Sequence, residues 1–214
     1  GSITPPSCIQ EAETAWNSDS SPRATGTFTV NADDILVAYS IVEYEGKTIT
    51  ITNSGTAFTW TLQQEVNVTD YTRVRLWTAP ATAGQSMTVT FTSSGGAAQQ
   101  WGGNVLTFRG SAGVGASAKT NVSSGAPTLN LTTTQANSAI VVANGDWTAT
   151  DGASRTWRTN AGALTEQTYF RDSARYTVYG GYHANAGAVS TYAVGLSAPT
   201  GQKYSVVAIE VKGQ

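Results

Sequence analysis

Asn104-Val-Leu-Thr-Phe-Arg-Gly110 and Val206-Val-Ala-Ile-Glu-Val-Lys-Gly213 are the two stretches whose reading decides the fold. Each is a short apolar run that closes on a basic residue and a glycine. Runs of this length bounded by turn residues read as buried strands, since helices need longer segments. Their likeness across about 103 residues prompts a search for an internal repeat.

The repeat holds along the chain. Ile35-Leu-Val-Ala-Tyr39 is matched by Ala139-Ile-Val-Val-Ala143, and Arg73-Val-Arg-Leu-Trp77 by Arg175-Tyr-Thr-Val-Tyr179. Gly84-Gln-Ser-Met-Thr-Val-Thr-Phe91 is matched by Gly187-Ala-Val-Ser-Thr-Tyr-Ala-Val194. The offset stays between about 102 and 104 residues, so the chain reads as a duplicated unit of about 100 residues.

Between these anchors the pattern has period two and is cut by turns. Asp34 to Glu43 reads as a long buried strand, Glu45-Gly46 as a turn, and Lys47 to Thr52 as an alternating strand. Ala57 to Leu62 sets Phe58, Trp60 and Leu62 on one face of a further strand. The sole helical candidate runs from Ile9 to Trp16. The fold class expected is all-β: an antiparallel, jelly-roll-like β-sandwich built from two pseudo-repeated halves.

Two Ig-sized sandwiches in tandem, or one sandwich, would satisfy the repeat. Each half shows only four or five strands by pattern, few for an independent sandwich, which favours one sandwich of interleaved halves. On this reading residues 1–27 are an N-terminal arm with an incoming strand, anchored by Trp16. Residues 28–214 are the sandwich, with pseudo-repeats 28–110 and 129–213 joined by 111–128.

Composition limits the function. Hydrophobic residues make up 40% of the chain, enough for a core, while charged residues are only 12%, about half the usual quarter. A low-charge surface rich in Thr, Ser and Gly suits extracellular and virion-surface β proteins. The net charge of -2 supplies no basic stripe for nucleic acid. Cys8 is the single cysteine, so no intrachain disulfide forms. No apolar run reaches a membrane span and no signal peptide is read. Gly1-Ser2 reads as the remnant of a cleaved tag, so compartment is not inferred from the start of the chain.

The matched stretches Asp34 to Tyr39, Val74 to Trp77, Ala83 to Phe91, Val105 to Gly110 and Ser138 to Ala143 carry a resemblance. Their order resembles a loosely defined family of duplicated β-sandwich modules. These are found in phage virion proteins (minor tail and head-surface components) and in bacterial extracellular proteins. The resemblance spans residues 27 to 213 or so, and its motifs are structural. It implies a virion or extracellular location and transfers no catalytic residues.

Catalytic patterns are weak. His183 is the only histidine, and no Gly-x-Ser-x-Gly elbow accompanies it. The acid pairs Asp33/Asp34, Glu43/Glu45 and Glu65/Asp70 sit at turns and strand ends, where acids simply meet solvent; glycoside chemistry would need a facing pair. Zinc lacks its ligands. Asp146 and Asp151, beside Asn144, Gly145 and Gly152, read first as a turn and second as a calcium loop. No metal and no cofactor is expected.

Aromatics are the better handle. Alternation puts Val74 and Leu76 on one face of their strand and Arg73, Arg75 and Trp77 on the other. If the valine and leucine face the core, the arginines and tryptophan face outward. Arg175 and Tyr179 repeat that pattern, and Trp147 and Trp157 lie in a loop-rich stretch. Outward rings beside arginines suit sugar stacking or protein docking; the competing reading packs these rings inside. The leading expectation is a non-enzymatic structural or attachment module of a phage virion, with other virion or cell-surface chains, or a glycan, as partner and homo-oligomers allowed. An extracellular carbohydrate-binding module comes second, ahead of a bacterial adhesion domain or a glycoside hydrolase or lyase.

Overall fold

Strands formed by the alternating stretches account for the whole architecture in the computed structural model, which describes residues 1–126, 128–200 and 203–214. The first half contains β1 (Ser7–Glu13), β2 (Arg23–Ala24), β3 (Phe28–Val30), β4 (Ile35–Val42), β5 (Thr48–Asn53), β6 (Thr61–Val66), β7 (Arg73–Pro80), β8 (Gln85–Met87), β9 (Val89–Ser94) and β10 (Trp101–Arg109). The second contains β11 (Val114–Val122), β12 (Leu129–Thr132), β13 (Ala139–Asp146), β14 (Thr156–Trp157), β15 (Leu164–Asp172), β16 (Tyr176–His183), β17 (Thr191–Val194), β18 (Leu196–Ala198) and β19 (Tyr204–Val211). No helix occurs among the described residues, and the expected helical turn over Ile9 to Trp16 is strand β1 and the bend after it.

Each half builds a five-stranded antiparallel sheet in the same order, β1-β10-β4-β7-β6 and β11-β19-β13-β16-β15. Small sheets cover one face of each: β2-β9-β5 and β3-β8 in the first half, β12-β17 and β14-β18 in the second. The duplication is therefore topological as well as sequential. The expectation of interleaved halves is corrected, because among the described residues no sheet draws strands from both. Strands that the pattern hides supply the difference. β1 lies in the expected arm and β11 in the expected linker, whose Pro127 lies outside the described residues, as do Gly201 and Gln202.

Alternation decides which neighbour each side chain meets. On β4, Ile35, Val37, Tyr39 and Ile41 join a central cluster with Val141 and Ala143 of β13 and Val207 and Ile209 of β19. Leu36, Ala38 and Val42 turn the other way, onto Val30, Met87 and Phe91 of the small sheets. In the second half Ile140 and Val142 likewise meet Leu131, Val194 and Leu196. The molecule is thus four layers deep, with three apolar seams. Both faces of the large sheets are buried, so their strands read as continuous apolar runs instead of alternating ones.

The large sheets stack with opposite edges together. Gln64 of β6 donates to Ser117 of β11 (2.9 Å), and Thr168 of β15 donates to Glu13 of β1 (2.9 Å). Since β6 and β15 are counterparts, as are β1 and β11, the halves are related by an approximate two-fold, the geometry of an isologous dimer. Glycines allow the close approach. A Cβ on Gly180 of β16 would strike the ring and hydroxyl of Tyr39, and one on Gly145 would strike Thr72 and Ile41. Trp16, 5% exposed, packs on the central cluster and anchors the chain after β1 as expected.

One expected strand moves. Residues 57–60 are not strand, and β6 begins at Thr61. The Asn53 side-chain oxygen accepts from the Phe58 amide (3.0 Å) and the Trp60 indole (3.1 Å), which holds this segment as a loop. The expected common face is lost: Phe58 is buried, whereas Leu62 is 41% exposed.

Candidate functional site

The stacked layers redistribute the seven residues expected to bind a ligand. Trp77 does point away from Val74 and Leu76, but that side of β7 is covered by the small sheets. Trp77 is 4% exposed and packs 6.3 Å from the Phe91 ring. Tyr179 is fully buried among Trp157, Tyr169 and Tyr204. The outward reading of both is corrected: a strand covered on two sides has no outward face.

Arg73 and Arg75 are internal fasteners. Both reach the Glu65 carboxylate of β6; Arg73 also donates to the Lys47 carbonyl and the Thr48 hydroxyl, and Arg75 to the Ile49 carbonyl. Burial works against charge on Glu65, but Arg75 and Arg73 outweigh it and hold its carboxyl below the usual range. Trp157, half buried, donates its indole N–H to Glu166 (2.8 Å), which also takes Arg155. These three side chains have protein partners in place of a ligand.

Trp147 and Arg175 are brought together. β4 and β13 end at the same end of the stack, so residues just beyond them meet across the seam. Tyr44, two residues past β4, lies 6.4 Å from Trp147, one residue past β13, with ring planes at 33°. Lys203 Nζ lies 5.0 Å from the Trp147 ring centroid and 5.5 Å from that of Tyr71. Arg175, in the turn between β15 and β16, donates to Glu43 (3.1 Å). Glu43, Tyr44, Gln99, Trp147 and Arg175 line a groove of about 360 Å³. A second hollow of about 270 Å³ shares Gln99 and Arg175 and adds Gln100 and Asp19.

Glu43 is 7% exposed and Gln99 6%. Glu43 Oε2, Gln99 Oε1 and Gln100 Oε1 are buried. Their orientation is set by their other atoms: Gln99 Nε2 donates to the Glu45 carbonyl (3.2 Å) and Gln100 Nε2 to Asp172 (3.0 Å). Burial pushes the Glu43 carboxyl up, and Arg175 counters it.

Other titratable groups are engaged elsewhere. Glu11 and Glu13 share a face of β1 and are raised by burial. Glu13 accepts from Trp16 (2.5 Å) and Thr168, and Glu11 from Asn104 (2.7 Å). With Tyr39 bonded to Thr168 (2.6 Å), they stitch the first half to the second. The sequence reading missed them because β1 was taken as a polar arm; their two-residue spacing was the available signal. Asp34 is fixed by two contacts from Arg109, each 2.9 Å.

Asp146 accepts from the Thr148 (2.8 Å) and Thr150 (2.9 Å) amides, closing a turn. Among the described residues no three His, Cys, Asp or Glu side chains converge as metal ligands. His183 is buried with Nδ1 at 2.9 Å from the Gly162 carbonyl, and burial lowers its pKa. The Cys8 thiol packs on the central cluster and is pushed up to about 11 by burial. No protein-family model matches the chain, and no curated protein or solved structure aligns with it significantly.

Proposed function

We propose that this chain is a non-enzymatic structural or attachment module of a phage virion, a tail component or head-surface decoration. The stacked layers act as a rigid body, and the loops at the end of the seam make the contact. The observation that carries this reading is the contrast between interior and end. Glu11, Glu13, Glu65, Glu166 and Asp146 all serve internal hydrogen bonds, while Tyr44, Trp147, Lys203 and Arg175 gather in loops around a groove. Low charge and a surface rich in hydroxyl side chains fit a chain displayed outside the cell.

Adsorption of the fluorescently labelled protein to bacterial cells tests the proposal, with its solution mass measured on the same sample. Saturable adsorption without breakdown of the cell-surface polymer is the expected outcome. Release of new reducing ends or peptide termini from the cells would make the protein a hydrolase and overturn it. A free-standing extracellular carbohydrate-binding module is the second reading, favoured by the Tyr44–Trp147 pair.

A further inference from the structure

We infer that the free edge of β6 is a pairing surface for a second copy of this chain, and that Lys119 of the second half keeps it closed. The inference concerns the flank of the molecule and stands apart from the attachment reading.

β6 is the last strand of its five-stranded sheet and pairs only with β7. Such an edge presents unpaired amides and carbonyls, a template for a strand of another chain. The Glu65 carbonyl of β6 accepts from Lys119 Nζ at 3.0 Å, a donor supplied by a side chain of β11 in place of a neighbouring strand. Lys119 is exposed, and no carboxylate pairs with it among the described residues. A groove of about 490 Å³ runs beside this contact, lined by Leu62, Val66, Val68, Lys119 and Asn121 among others. Leu62 and Val68, 41% and 38% exposed, are two of only four large apolar side chains left exposed among the described residues. Their place along one sheet edge gives an added strand apolar surface to cover.

The neighbouring edge is shut in the same way. β5 ends its small sheet, and the carbonyls of Lys47 and Ile49 accept from Arg73 and Arg75, each at 3.1 Å. Those carbonyls are two residues apart, so they point to one side. This flank therefore carries Arg73, Arg75 and Lys119 against the single carboxylate of Glu65. β6 itself has one lysine and a bulge between Leu62 and Gln64, two devices that natural sheets use against edge-to-edge pairing. The charge identifies what is kept out. A second copy would meet this edge isologously, bringing its own Lys119 and the same excess of cations, whereas an acidic segment would be attracted.

Sedimentation velocity on the full chain across a concentration series tests the inference, with amide hydrogen exchange of β6 on the same samples. Wild type and Lys119→Arg should keep the mass of one copy. Lys119→Met and Lys119→Ala should rise to the mass of two copies with concentration, and the β6 amides should exchange more slowly in the dimer. Adding Leu62→Lys to Lys119→Met should return the monomer by placing a charge back on the edge. Monomers for both Lys119→Met and Lys119→Ala at every concentration would overturn the inference. So would dimers whose β6 amides exchange as fast as before, or a wild type that already pairs through β6.

Discussion

Leu76→Ala should weaken the whole molecule although Leu76 belongs to the first half alone. Its side chain is fully buried in the central cluster, among Val141 and Ile209 of the second half. Truncating a buried leucine costs about 2–5 kcal/mol, the spread depending on how far the cavity collapses. Two stacked sheets held by β-bulges and close-approach glycines have little freedom to close in, so a value near 3 kcal/mol is expected. For a chain of this size 1 kcal/mol moves the melting temperature by about 2–4 °C, giving a drop of about 6–12 °C. The assay is urea unfolding followed by far-UV circular dichroism, with amide hydrogen exchange at β4 and β13 on the same variant. Exchange should accelerate in both halves together, because the lost contact lies between them. Acceleration confined to the first half, or a cost below about 1 kcal/mol, would refute the shared seam.

Other perturbations test separate parts of the account. Trp77→Ala should destabilise by about 3–5 kcal/mol in thermal melts and leave cell adsorption intact once folded, since the ring is internal. Glu65→Ala strands two arginines of low exposure and should cost about 2–3 kcal/mol in urea titration; a neutral effect would mean that water takes over the pairing. Asp146 is pushed up to about 6 by burial, against an ordinary 3.8. Its folded form therefore holds the proton more tightly, and stability should decline as pH rises from about 4 to about 6. The difference between wild type and Asp146→Asn across that window isolates this term; a flat difference rejects it. Glu210 has the opposite sign. Burial works against its charge, yet donors from Ala116, Ser138 and Thr134 hold its carboxyl below 4.5. Its contribution is present above that pH and lost as pH falls through the folded value, so Glu210→Gln should flatten the acid limb of the stability curve.

The duplication and the all-β class were legible because they rest on features carried by sequence alone: period-two alternation and a constant offset. Strand count and layering were less so. β1 and β11 are edge strands with partly exposed sides, and Ser7 to Glu13 shows little apolar signal. Continuous burial from Ile35 to Val42 signalled a strand covered on both faces, and that same reading rules out an outward Trp77. The alternation of Val74, Leu76 and Trp77 was read correctly, but alternation names two faces without saying what covers the second. Trp147 was read as a loop aromatic and Arg175 as an outward arginine on a strand, whereas Arg175 lies in the turn before β16. Tyr44 and Gln99 were not singled out, because they join the groove only when β4 and β13 end side by side.

Separate production of residues 1–110 and 111–214, followed by sedimentation of each alone and of their mixture, tests the central claim most directly. The claim is that the halves form an internal pseudo-dimer and that the end groove exists only between them. Each half alone uncovers one face of a large sheet, Val37, Leu76 and Leu106 in the first and Val141, Val207 and Ile209 in the second. The account predicts that the isolated halves self-associate or fail to fold, and that the mixture forms a 1:1 complex. Two folded, non-associating monomers would contradict it.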